Sequence, residues 1–433
     1  MYITVLFDLS RVFYIITFLD MGDDMDNKFA TIETLMRELG CEKWPQRWYD
    51  LYPEVIKEYS ECGCKYADPA YYIALHEKYS VLNDVLEYYI KAAEKISQSE
   101  PLSIFLLLLA TVLKNREKAR GEMSFSYPKS ADGKPDLAID MLRGLAMATM
   151  IPYSHEKMKA RGIPDDIVTE ALRLPEHTVT KHIKNHGYPG FDLMAWFQLS
   201  IDCKLYRLGR LEIEIERKFD AGATVFRNSE GETVILAHEK QLHKTGYPLG
   251  MTGYEDEEGS WTPVVTETED AWTGYPHSEM GYVRSTPVTL LKSQWKKVLE
   301  KGDYIVSLHI PAGGGMTPEA VDDSIARGIE FLAKYYPEYD YKAFHCHSWL
   351  MDPQLKYVLG EDTNIAKFLA RFNSIAVWSD SKGIFYHVFG RDRNSVSDVS
   401  VLPETTSLFR ALKNYYMSGG KIYEMQGIFF TDK

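Results

Sequence analysis

Apolar side chains between Lys28 and His186 return every three to four positions. Phe29, Ile32, Leu35, Met36 and Leu39 form the first such series, and Trp44, Trp48, Leu51, Val55 and Ile56 the second. A recurrence near 3.6 residues puts these positions on one face of a helix, so this half is expected to be helical. Further helices are expected over 70–96, 102–118, 135–159 and 165–185, broken by the Gly and Pro clusters between them. The run SIFLLLLATVL at 103–113 is apolar on every side and too short to cross a bilayer, which predicts a helix buried at the centre of its domain.

The pattern changes at Gly187-Tyr188-Pro189-Gly190. Residues 196–219 read as two strands, the second alternating Leu211, Ile213 and Ile215 with Glu212, Glu214 and Glu216. Beyond it, strand-like and helix-like stretches alternate at 304–310, 317–335, 341–348, 365–372, and then 375–378 with 384–389. Such alternation predicts an α/β or α+β fold, the latter with a mixed sheet, around a parallel core pair. The expected organisation is a helical domain over 25–189 and a sheet domain over 190–433, with residues 1–24 a possible non-native extension ahead of Met25. Within the second domain Thr245-Gly246-Tyr247-Pro248 recurs as Thr273-Gly274-Tyr275-Pro276, each followed by Gly-Tyr and then Thr-Pro-Val. This predicts two similar turns, either a duplicated hairpin or a loop on the substrate side.

Composition narrows the function classes. At 433 residues the chain exceeds what one core usually serves, in keeping with two domains, and 45% hydrophobic with 13% aromatic residues argues against disorder. A formal net charge of -13 speaks against duplex nucleic acid and against an anionic membrane surface, since both need a basic face. Five scattered cysteines without a C-x-x-C pair read as reduced thiols in a cytoplasmic protein. Oligomeric state leaves no trace in the sequence.

The chemistry-bearing stretch is DYIVSLHIPAGGGMTPEAVDDSIARGIEFL, in which a strand ends at His309-Ile310, a loop follows through Pro311, Ala312, Gly313, Gly314, Gly315 and Met316, and a helix opens at Thr317-Pro318. Thr317 suits an N-cap and Pro318 the first helical position. Glycines let a backbone approach a ligand, and a helix start offers unpaired N–H groups with partial positive charge, so the loop fits an anion. It fits neither ATP nor NAD: no Lys follows the glycines as a Walker loop requires, and position 318 is proline where the dinucleotide fingerprint needs glycine.

Over 301–372 the chain resembles the GNAT-like C-terminal domain of a bacterial acyltransferase family that pairs it with a helical N-acyltransferase N-terminal domain. The resemblance rests on Gly302-Asp303, Leu308-His309-Ile310-Pro311-Ala312-Gly313-Gly314, Thr317-Pro318-Glu319-Ala320, Cys346-His347-Ser348-Trp349-Leu350, Asp352-Pro353 and Asn364-Ile365, supported by Tyr206-Arg207-Leu208-Gly209-Arg210-Leu211 and Trp295. It implies acyl-CoA as co-substrate, no metal, and a pyrophosphate held by the backbone of Ile310, Ala312, Gly313, Gly314, Gly315 and Thr317. Ile310 stands where the wider GNAT signature carries Gln or Arg, and Glu319, Asp322 and Asp323 put negative charge in the first helical turns, where a carboxylate repels a pyrophosphate.

Direct acyl transfer to an amine needs a base for the incoming ammonium and an oxyanion partner. His309, at the strand end beside the glycine loop, is the first candidate base, though the same ring would also serve to brace the loop. Glu214 represents the row of Glu212, Glu214 and Glu216, whose alternative is a solvated strand face. His347, sharing a face of the next strand with His345, completes the set. Two other readings stay open: a non-catalytic ligand-binding protein on a decayed GNAT scaffold, and a hydrolase using Cys346 as nucleophile with His347 or His309.

Overall fold

The protein is described from a computed structural model, covering residues 28–115, 125–130, 132–191, 194–311, 313–391 and 394–431. The extension considered at 1–24 lies outside the described residues. The first half holds ten α-helices among these residues: α1 Ile32–Glu38, α2 Gln46–Cys62, α3 Pro69–Tyr79, α4 Leu86–Ser97, α5 Glu100–Lys114, α6 Leu137–Ala148, α7 Ile151–Ala160, α8 Asp165–Leu172, α9 Leu174–His186 and α10 Met194–Ile201. Every residue of 103–113 in α5 is buried, as its uniform apolarity predicts. No described helix is long and apolar enough to cross a membrane.

Three of the expected helices are in fact pairs. The stretch 70–96 breaks where Ser80 and Leu82 take left-handed conformations, at φ 55° and 64°. The stretches 135–159 and 165–185 break ahead of Pro152 and Pro175, which lie in the first turns of α7 and α9. Proline lacks the N–H that an interior turn needs but not the one a first turn leaves unused, so it restarts a helix there. A further difference lies at 196–219. Only its end forms strands, because its start belongs to α10, and Cys203 at φ 58° turns the chain into the sheet.

The second half opens with β1 Leu205–Leu208, β2 Leu211–Lys218, β3 Ala223–Asn228, β4 Thr233–Ala237, β5 Thr266–Glu267, β6 Ala271–Pro276, β7 Val288–Leu291, β8 Trp295–Leu299 and β9 Tyr304–His309. It continues through α11 Pro318–Tyr335, β10 Ala343–Ser348, α12 Leu355–Leu359, α13 Asn364–Leu369, β11 Asn373–Ile375, α14 Gly383–His387, α15 Ser407–Met417 and β12 Met425–Phe429. The segment 384–389, expected as a strand, lies mostly in α14; a short apolar run carries too little periodicity to separate the two.

One sheet has the order β1-β2-β9-β10-β12-β11, with β9 and β10 parallel and the other neighbours antiparallel. The second has the order β5-β6-β4-β3-β8, with β7 on β6. The expected parallel core pair is therefore β9 and β10, joined through α11. One face of the first sheet presents Leu211, Ile213, Ile215, Val306, Leu308, Phe344 and Cys346 to a core that includes Val321, Ile325 and Leu332 of α11 and runs on through the helical half. The opposite face is apolar only at its lower end, where Ile305, Ala343 and Ile428 pack on Phe219, Val225 and Leu299. Its upper end is polar.

The two repeat copies do not share a fold. Thr273-Gly274-Tyr275-Pro276 lies in β6, whereas Thr245-Gly246-Tyr247-Pro248 is a tight turn with Gly246 at φ 89°. Only the Gly-Tyr pairs agree, with Gly253 and Gly281 both left-handed at φ 92° and 84°. Tyr247 and Tyr254 of the first copy stack with centroids 4.5 Å apart, and Tyr282 of the second lies 5.7 Å from Tyr247.

Candidate active site

Alternation places Glu212 and Glu214 on one face of β2, with Arg210 in the turn just ahead of it, and antiparallel pairing sets Glu212 opposite His309 and Glu214 opposite Ser307. The same face of β10 carries His345, paired with Ser307, and then His347, paired with Gln426 of β12. This is the polar upper end of the sheet. Glu212 and Glu214 are both buried in it, so the solvated-face reading of this row fails for these two. It holds for Glu216, which is exposed and takes φ 59° at the bulge where the register shifts between Glu214 and Arg217.

His309 and Glu214, distant in sequence, meet here. His309 Nε2 lies 2.8 Å from Glu214 Oε2. Since a carboxylate only accepts, Nε2–H donates, which leaves Nδ1 as the basic nitrogen of the neutral ring. Arg217 Nη1 donates to the same carboxylate oxygen at 3.2 Å. Burial works to raise the Glu214 pKa, but the hydrogen bond from His309 and the charge of Arg217 together hold it below the ordinary carboxylate value. The pair is thus a carboxylate fixed in its charged form beside an imidazole.

His345 has a different task. Burial, aided by the charge of Arg217, pushes its pKa down to about 3, so the ring is neutral. Its Nδ1 lies 3.0 Å from Ser307 Oγ and its Nε2 3.1 Å from Gln426 Oε1. The consistent arrangement has the Ser307 hydroxyl donating to Nδ1 and Nε2–H donating to Gln426, a brace across three strands. His347, two residues on, is exposed. Among the described residues no group of three His, Cys, Asp or Glu side chains is placed to hold a metal ion.

The parallel strands diverge beside this brace. The register of β9 with β10 ends at Ser307 and His345, yet β9 continues to His309 on β2 and β10 to Ser348 on β12. A fork opens between His309 and His347. Just beyond lies the glycine loop, with Gly313 and Gly314 left-handed at φ 92° and 65° and Gly313, Gly314 and Gly315 exposed. Ile310 is half-buried against the core, and Ala312 lies outside the described residues. Thr317 caps α11 as expected, its side chain accepting from the Ala320 N–H at 3.3 Å.

A family model described as an N-acyltransferase N-terminal domain matches residues 109–203, and one described as a GNAT-like C-terminal domain matches residues 205–429, more than half of the chain. The chain belongs to this GNAT-like acyltransferase family. The search of curated proteins found no match. Among solved structures, an acyltransferase in complex with decanoyl-CoA is similar at 18% identity and a TM-score of 0.60, over 93% of this chain and 100% of that one. An acyltransferase in complex with decanoyl-CoA and teicoplanin is similar at 19% identity and a TM-score of 0.59, over 92% and 99%. At this identity the likeness speaks for the fold.

Two expectations about the acyltransferase change with the geometry in view. Cys346 is fully buried on the apolar face of β10, and desolvation pushes its thiol up to about 12, so the thiolate that a nucleophilic route needs is absent near neutral pH. The acidic first turns of α11 are largely neutralised: Asp322 pairs with Arg371, and Asp323 with Arg327 at 2.8 Å. The charge behind the decayed-scaffold reading is therefore mostly compensated.

Sequence reasoning named Glu212 only as a member of the Glu row and gave Arg210 no role at the site. Glu212, opposite His309, is raised to about 7 by burial, against the pull of Arg207. It lines a small cavity between the helical half and β1–β2, together with Glu170, His177 and Arg207. Arg210, at the β1–β2 turn, donates from Nη1 to Pro311 O at 2.9 Å. Glu212 belongs to the Glu row on β2 and Arg210 immediately precedes the strand, but only the pairing of β2 with β9 reveals what they face.

Proposed function

We propose that this acyltransferase passes the acyl group of an acyl-CoA directly to an amine, with His309 as the base and Glu214 as the carboxylate that orients it. The observation that carries the reading is the 2.8 Å His309–Glu214 pair at the mouth of the β9–β10 fork, next to a glycine loop and a helix start. The solved acyltransferases of similar fold hold octanoyl-CoA, decanoyl-CoA or CoA, and two of them teicoplanin or 10C-teicoplanin, which supports a medium-chain thioester as donor and a small-molecule acceptor.

In this scheme the diphosphate lies against Gly313, Gly314, Gly315 and the N-terminus of α11, and the thioester reaches back into the fork. His309 takes a proton from the acceptor ammonium through Nδ1. The freed nitrogen attacks the thioester carbon, backbone donors where β9 parts from β10 hold the resulting oxyanion, and the carbon–sulfur bond then breaks to release the CoA thiolate, which takes up the second proton that the attacking nitrogen sheds as it becomes an amide. Glu214 balances the imidazolium, and His345 with Ser307 and Gln426 keeps the strands in place. His347, across the fork, faces the acceptor side.

Calorimetry with CoA and decanoyl-CoA tests the donor; an absence of binding at millimolar concentration would sink the reading. His309→Ala tests the base. Loss of turnover with CoA binding intact supports the role, and unchanged turnover removes it.

A further inference from the structure

An anion seated on the glycine loop needs a cation, and the loop brings none: residues 310–317 contain neither Lys nor Arg. The nearby cations differ in how they are used. Arg371 and Arg327 are held by Asp322 and Asp323 of α11, and Arg207 lies 3.5 Å from Glu170. Arg210, by contrast, has no carboxylate within ion-pair distance among the described residues, although Glu212 is close enough to be felt. Its guanidinium spends one donor on Pro311 O, and its Nε is buried without a hydrogen-bond partner. A buried Nε–H without a partner is costly to keep unless a ligand uses it, and the half-buried guanidinium has further N–H groups to offer beside it.

Its placement is built. The backbone N–H of Arg210 donates to Ser324 Oγ at 2.6 Å, and that of Leu211 to the same oxygen at 3.2 Å, which pins the β1–β2 turn to the second turn of α11. Gly209, left-handed at φ 77°, lets the turn come this close; a Cβ there would stand 2.8 Å from Ser324 Oγ. On the loop side, a Cβ on Gly314 would stand 3.6 Å from Arg210 Cδ, so the arginine stem lies along the loop itself. The charge thus sits beside two left-handed glycines and the start of an 18-residue helix.

We propose that Arg210 is the cation that grips the diphosphate of acyl-CoA, supplied from the β1–β2 turn instead of the glycine loop. This rests on the acyl-CoA reading above and assigns the part of the donor that the loop backbone alone leaves without charge. Guanidinium is the group suited to the task, because its planar fork pairs with phosphate oxygens in two parallel bonds. Bound there, the diphosphate also satisfies donors that otherwise stay unused.

The test is calorimetry of the full chain and of Arg210→Met with two probes, CoA and a phosphate-free acyl-pantetheine. Wild type should bind CoA more tightly than acyl-pantetheine, by a margin that shrinks with added salt. Arg210→Met should lose about tenfold or more in CoA affinity while binding acyl-pantetheine as wild type does. Should that variant fold poorly, Arg210→Gln, which keeps a polar end group without the charge, carries the same test. CoA binding within twofold of wild type overturns the proposal. So does an equal loss for both probes, which would make Arg210 a brace for the loop. Failure of wild type to bind CoA at all strikes the donor reading instead, and the two outcomes are told apart by the wild-type titration alone.

Discussion

Replacing Glu214 by Gln keeps the shape of the buried pair and removes its charge. In the wild-type protein the carboxylate faces an imidazole that becomes imidazolium as it takes the acceptor's proton, and the contact is 2.8 Å from Nε2 to Oε2. With charge centres about 4 Å apart and an effective dielectric near 20, that attraction is about 4 kcal/mol. Arg217, 3.2 Å from the same oxygen, repels the imidazolium and offsets part of it. A net of about 2–3 kcal/mol remains, which predicts a fall in kcat of about 30- to 150-fold. The KM for acyl-CoA should stay near its wild-type value, because Glu214 touches His309 and Arg217 and not the loop. The assay is the initial rate of thiol release from decanoyl-CoA with an amine that the wild type turns over, and a thermal melt confirms that the variant is folded. A folded Glu214→Gln with kcat within twofold of wild type would refute the dyad. The same substitution carries a stability signature. The Glu214 pKa is depressed by folding, so its contribution is present above the ordinary Glu value and is lost as pH falls through the lower folded value. Wild type should therefore lose more stability than Glu214→Gln on acidification below about pH 4.5.

Other residues give sharper yes-or-no outcomes. Glu212 behaves in the opposite sense: its folded pKa is raised to about 7, so the folded state holds the extra proton and stability declines as pH rises from the ordinary Glu value toward 7. Glu212→Gln should melt higher than wild type at pH 8, by an amount on the order of 1–3 kcal/mol, and show little gain at pH 4; no difference at either pH would mean that the carboxyl is solvated. Cys346, buried with its thiol raised to about 12, should resist alkylation in the folded protein and react once denatured, and Cys346→Ala should retain turnover. Gly246→Ala should destabilise by about 3 kcal/mol or more, since φ is 89° and the added Cβ would stand 2.0 Å from Val283 O; a melt within a degree of wild type would contradict the close approach between the two repeat copies.

Much of this protein is written locally. Apolar spacing marked the helical half and the fully buried α5, strand alternation marked β2, and Thr317-Pro318 marked the start of α11. Where those readings slipped, a local rule had two outcomes: a proline restarts a helix as readily as it ends one, and a short apolar run such as 384–389 serves a helix or a strand. The site depended on what no local rule carries. Alternation says that Glu212 and Glu214 share a face, but which strand lies beside them, and in what register, is set by the pairing of segments about 95 residues apart. That pairing buried the two carboxylates, gave His309 its partner, and left Arg210 against Pro311. It also gave different tasks to residues that sequence offers side by side as candidates for chemistry. His309 meets a carboxylate, His345 is desolvated into a neutral brace, and Cys346 between the latter and His347 turns to the opposite face and is silenced by burial. Sequence determined the elements and the chemistry available to them; the tertiary structure decided which groups are dry, which are charged, and which touch, because burial and register belong to pairs of remote segments and not to either one.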